Sequence, residues 1–106
     1  MFVNPDHVAH LEELLLRVDD SRYGAVAVAI VNGKAFAFQD ACTHQQCSLS
    51  EGFLDEYAVI CACHQSVFDV RTGEVLTGPA TRPLRTYACD RDGESVTVGP
   101  PSDLPA

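Results

Sequence analysis

Ala25-Val26-Ala27-Val28-Ala29-Ile30-Val31-Asn32-Gly33-Lys34-Ala35-Phe36-Ala37-Phe38-Gln39 is the stretch on which the fold turns. Its first half sets β-branched residues at alternate positions, which suits a pleated strand. Asn32-Gly33 follows, the strongest short hairpin signal, because both residues tolerate positive φ. Lys34–Gln39 then returns as the partner strand, with Phe36 and Phe38 on one face as candidate core. Downstream, Tyr57–Ile60 and Val67–Val70 read as short strands, and Arg71-Thr72-Gly73 as a turn. Leu84–Cys89 and Glu94–Val98 flank Arg91-Asp92-Gly93, a second hairpin. Many short strands joined by glycine turns predict an all-β chain, a small antiparallel sandwich or barrel.

Upstream the signal is mixed. Val8, Leu11, Leu15 and Val18 fit one face of a helix, while Leu14-Leu15-Leu16-Arg17-Val18 fits a strand. Periodicity alone leans to the helix. Downstream, residues 100–106 are proline-rich and read as a flexible tail, leaving residues 1–99 as a single domain. The net charge of −8 and pI of about 4.7 argue against nucleic acid or an anionic membrane as partner. Acidity suits docking on a basic protein surface, or simply solubility. No apolar run approaches the roughly 20 residues that span a bilayer. The opening residues carry no Sec-type signal, so a cytoplasmic location is expected.

Five cysteines lie at 42, 47, 61, 63 and 89, and four of them fall within 22 residues. Cysteines of a cytosolic chain usually serve metals or catalysis. One loop offers Cys42-Thr43-His44 and a second offers Cys61-Ala62-Cys63-His64, with 16 residues between His44 and Cys61. Thiolate plus imidazole suits zinc or iron. A Cys₂His₂ zinc site uses the same ligand types. A nucleophilic cysteine is the weaker alternative, because no orienting Asn or Asp is identifiable and two Cys–His pairs exceed that need. Cys89, in a late strand, reads as a small buried hydrophobe. His7 and His10 read as solvated side chains.

The two motifs closely resemble those of the Rieske family, Cys-x-His followed by Cys-x-x-His. The flanking text agrees: Cys47-Ser48-Leu49-Ser50-Glu51-Gly52, then Gln65-Ser66-Val67-Phe68-Asp69, Arg71-Thr72-Gly73, and Gly78-Pro79-Ala80. The resemblance covers roughly residues 25–98. It implies a [2Fe–2S] cluster with Cys42 and Cys61 on one iron and His44 and His64 on the other. Two ferric ions, two sulfides and two thiolates sum to zero charge, because imidazole adds none. Such a core accepts an electron more readily than one with four thiolates.

The resemblance carries further expectations. Cys47 and Cys63 match the cysteine pair that is disulfide-bonded in the respiratory branch. Ser66 matches a hydroxyl that donates to a cluster sulfide, and Gly78-Pro79-Ala80 matches the loop that shields the cluster. Phe68 stands where high-potential members carry a donating tyrosine, and Gln65 replaces the usual glycine. An intermediate reduction potential is therefore expected. Strand–turn–strand before the first ligand loop makes Leu14–Val18 a strand, with a short helix or turn left near Asp6–Glu12. The function implied is one-electron transfer between a reductase and a terminal oxygenase or other oxidoreductase. A small subunit of a larger redox enzyme, nitrite-reductase-like, and a zinc-stabilised binding module are the alternatives.

Overall fold

The computed structural model describes residues 13–43, 47–63, 65–92 and 95–101. Among them lie strands β1 (Glu13–Asp20), β2 (Gly24–Val31), β3 (Lys34–Gln39), β4 (Phe53–Asp55), β5 (Ala58–Ile60), β6 (Val67–Asp69), β7 (Val75–Thr77), β8 (Thr86–Asp92) and β9 (Ser95–Pro101), with a 3₁₀ turn at Leu49–Glu51. They form two antiparallel sheets, β1-β2-β3-β8-β9 and β4-β5-β6-β7. The all-β expectation holds. The short strands β4 and β7 have no counterpart in the sequence reading, since three residues carry too little periodicity to be seen.

β2 is buried on both faces, because successive side chains of a strand point to opposite sides. Val26, Val28 and Ile30 pack with Ala37, Tyr87 and Val98. Ala27, Ala29 and Val31 pack with Phe38, Leu49, Val59 and Phe68. The valine–alanine alternation thus separates two cores rather than core from solvent. The small alanines let the second sheet come close on their side. Phe38 and Phe68 are fully buried there, and each contributes about 1.5–3 kcal/mol by leaving water.

The larger sheet curls into a half-barrel, and side chains bridge its open side at one end. The Arg22 guanidinium, in the β1–β2 turn, donates to the Val98 carbonyl on β9 at 2.7 Å. The Tyr23 and Tyr87 rings lie 5.3 Å apart, closing the same seam. At the β2–β3 turn, Asn32 and Gly33 take φ of 53° and 83°, as this hairpin type requires. Leu14–Val18 is strand: Leu15 pairs with Ala29 and packs on the shared core, while Leu14 and Leu16 remain exposed. The segment Asp6–Glu12 lies outside the described residues, as do His7 and His10.

Two details differ from expectation. Cys89 is half-buried beside the second core rather than enclosed, and its burial together with nearby Asp90 raises its thiol pKa. β9 continues to Pro101, which pairs with Tyr87, so strand reaches into the segment read as tail. An edge strand tolerates proline because its outer N–H groups have no ladder to join. Residues 102–106 lie outside the described residues.

Candidate metal centre

Two loops of equal length carry the expected ligands, and both close in the same way. In the first, Ala41 bridges Ser48 and the Cys42 N–H donates to the Cys47 carbonyl at 2.9 Å. In the second, Ile60 pairs with Val67 and the Cys61 N–H donates to the Ser66 carbonyl at 2.8 Å. Each is a hairpin tip whose first residue is a buried cysteine. Cys42 and Cys61 are each 1% exposed, lie outside any disulfide, and belong to the same core cluster. Cys47 and Cys63 are disulfide-bonded with Cα atoms 6.4 Å apart, which ties the tips together. The sulfurs of Cys47, Cys61 and Cys63 lie within 4.8 Å of one another. His44 and His64 lie outside the described residues.

The base of the first loop is held by residues outside the cysteine–histidine motifs. Asp40 is 2% exposed. Its carbonyl accepts the Leu49 N–H at 2.6 Å and its carboxylate accepts the Ser50 N–H at 2.8 Å. The Arg17 guanidinium lies 4.0 Å from the other carboxylate oxygen. Gln39 exchanges hydrogen bonds with Arg85 and donates from its side chain to the Ala41 carbonyl at 2.7 Å. Nothing local in the sequence separates Asp40 from the surface carboxylates. Only its position two residues before Cys42 hints at a role.

The second loop turns on Gln65, whose φ of 62° lies in the left-handed region. Its N–H donates to the Cys61 carbonyl at 2.9 Å. Glutamine therefore copies the turn for which the family uses glycine, at a cost of about 1–2 kcal/mol.

A third loop laces the other two. Gly78–Pro79 is a cis peptide, and both residues are exposed. The buried Ala80 N–H donates to the Ser66 hydroxyl oxygen at 3.0 Å. The Thr43 hydroxyl donates to the Arg82 carbonyl at 2.7 Å. Ser66, fully buried, uses its oxygen as acceptor and keeps its own proton to give. A cavity of about 210 Å³ lined by Gln39, Ala41, Cys42, Thr43, Arg82 and Pro83 opens at the base of the first loop.

This donor set fits an iron–sulfur cluster. Two buried thiols supply soft anionic ligands. A buried hydroxyl with a proton to donate suits a sulfide and would be idle against zinc.

Charged groups gather behind the loops. Asp69, largely buried on β6, accepts two guanidinium hydrogen bonds from Arg71, at 3.1 and 2.9 Å. These hold its carboxyl below the usual carboxylate range. The same guanidinium stacks on the Tyr57 ring at 4.3 Å.

The profile of the Rieske [2Fe-2S] domain matches residues 6–88. The ferredoxin component of the p-cumate 2,3-dioxygenase system of Pseudomonas putida is 42% identical over 94 residues, 88% of this chain and 78% of that one. The biphenyl dioxygenase ferredoxin subunit of Pseudomonas sp. strain KKS102 is 46% identical over 74 residues, 69% of this chain and 68% of that one. Among solved structures, a complex of reduced oxygenase and oxidized ferredoxin in carbazole 1,9a-dioxygenase superposes with a TM-score of 0.76. It shows 34% identity and covers 81% of this chain and 80% of the matched one.

Proposed function

The chain belongs to the Rieske [2Fe-2S] domain family, and we propose that it carries one electron at a time from a reductase to a terminal oxygenase, with Cys42, Cys61, His44 and His64 as cluster ligands. It is an electron carrier rather than a catalyst in its own right. Its relatives are named as ferredoxin components, and its partners are other redox proteins. The observation that carries the ligand assignment is the matched pair of loops. Each opens on a buried cysteine that stays out of the disulfide.

Bound there, a Rieske cluster supplies a one-electron couple at higher potential than an all-thiolate cluster. The chain does the rest. Cys42 and Cys61 bring the two negative charges and bury them in the core. His44 and His64, later in their loops than the cysteines, are assigned to the outer iron. Ser66 offers its proton to a sulfur atom and is itself fixed by the Ala80 N–H. Gly78 and Pro79 form the cover over the centre. Phe68 is fully buried and has no hydroxyl to donate. These residues together support a reduction potential between dioxygenase ferredoxins and respiratory Rieske proteins.

EPR of the dithionite-reduced protein tests the reading. A rhombic signal with an average g near that of Rieske centres is the expected result. A colourless protein without iron overturns it. Redox titration tests the intermediate potential separately.

A further inference from the structure

The small sheet has one covered face and one bare face. Leu54, Val59, Phe68 and Val75 are register partners across its four strands, and all four pack into the core. Their neighbours on the opposite face are also in register: Phe53 with Ile60, Ile60 with Val67, and Val67 with Thr77. Phe53 is 64% exposed, and Ile60 and Val67 are part-exposed. Next to them Leu76 is the extra residue of a bulge between β6 and β7 and is 52% exposed. Bulges beside functional sites commonly re-aim a side chain.

This row lies at the cluster end of the sheet. Ile60 and Val67 are the two residues that open and close the second ligand loop, and Thr77 leads into Gly78-Pro79. A single exposed apolar side chain is ordinary, whereas a contiguous row beside an electron exit marks an interaction surface. Its surroundings are acidic. Glu51, Asp55, Glu56 and Glu74 are all exposed, and none forms an ion pair among the described residues. Within this subdomain Arg71 is committed to Asp69.

We propose that the bare face of the small sheet, centred on Phe53, Ile60, Val67 and Leu76, is the surface on which the terminal oxygenase docks. The inference rests on the carrier function proposed above and adds the surface and its chemistry. The partner supplies an apolar socket for Phe53, rimmed by lysine or arginine that faces Glu51 and Asp55. Phe53 is the anchor, because a large exposed aromatic that becomes fully desolvated contributes most of an interface's energy. The acidic rim governs the association rate and its salt dependence.

The test uses the cluster-loaded chain and the terminal oxygenase of the Pseudomonas putida p-cumate 2,3-dioxygenase system. Dissociation constants come from titration calorimetry, and electron transfer from single-turnover kinetics. Phe53→Ser is expected to weaken binding about tenfold or more, with EPR signal and midpoint potential unchanged. Phe53→Leu is expected to restore most of the affinity. Leu14→Ser, which removes a similarly exposed apolar side chain on β1 beside the β2–β3 hairpin end, is expected to leave binding unchanged. Binding by Phe53→Ser equal to that of the unaltered chain overturns the surface while leaving the carrier function standing. So does equal weakening by Leu14→Ser. An unaltered chain whose loaded cluster does not cycle reversibly by one electron in a redox titration overturns the carrier reading and the surface together.

Discussion

The two cysteine–histidine loops close at their bases in the same way and differ in what secures them. Both are hairpin tips of the same length, closed by a cysteine N–H, with a buried cysteine first. The first is held from beneath, by Asp40 and Gln39, which join it to the large sheet and the β8 approach. The second is held from the side, by the Ser66–Ala80 bond and by the left-handed turn at Gln65. The disulfide and the third loop make one unit of the two. A cluster that must not reorganise on electron transfer benefits from such doubled support. Removing one support should therefore affect the loops unequally.

The largest expected effect is Cys61→Ser. It removes a soft anionic ligand from the second loop, so the Rieske EPR signal and the visible absorption should fall to background. Cys42→Ser should do the same from the first loop. A cluster that survives either change breaks the symmetry of the comparison.

Next is the disulfide. The double variant Cys47→Ser, Cys63→Ser frees a cross-link of sequence separation 16. Chain-entropy reasoning puts the loss at about 3 kcal/mol, which urea unfolding of the cluster-loaded protein would read. An unchanged midpoint would show that the cluster alone holds the loops together.

Ser66→Ala comes third. It orphans the buried Ala80 N–H, at about 1–3 kcal/mol, and withdraws a proton from the cluster's sulfur environment. The reduction potential should fall and the protein should lose stability together. Loss of stability with no change in potential would confine Ser66 to bracing the third loop.

Acid should act on both sheets. The Asp69 carboxyl is lowered by Arg71, and Asp20, at the β1–β2 turn, is lowered to about 2, chiefly by hydrogen bonds from Arg22. A depressed carboxyl adds stability above its unfolded value of 3.8, and that stability is lost as pH falls through the folded value. Unfolding midpoints should therefore drop between about pH 4 and pH 2, and Asp69→Asn should flatten part of that slope. A slope unaffected by Asp69→Asn would mean that Arg71 gives β6 nothing.

The smallest effect is expected of Gln65→Gly. It should relieve the left-handed strain of the second loop and raise stability by up to about 1 kcal/mol, offset in part by glycine's extra unfolded freedom. Lower stability after this change would show that the Gln65 side chain contributes more than its backbone costs.

Local patterns carried the fold class and pointed to the candidate site because their causes are local. The Val/Ala alternation and Asn32-Gly33 specify a hairpin within a few residues of themselves. The Cys and His spacings specify ligand chemistry before any folding. The same text led to the Rieske family, to Cys47 and Cys63 as a pair, and to Ser66 as a donor. Three things had to wait for the tertiary structure. Asp40 and Gln39 become supports only when strands distant in sequence close around them. The two faces of β2 become two cores only when the large sheet curls and the small sheet covers one side. Phe53, Ile60, Val67 and Leu76 become one surface only through register across the short strands β4 to β7, of which the sequence shows β5 and β6 alone. The sequence determined which cysteines and histidines are proposed as cluster ligands; long-range pairing decided what holds Cys42 and Cys61 still and which face beside them is left bare.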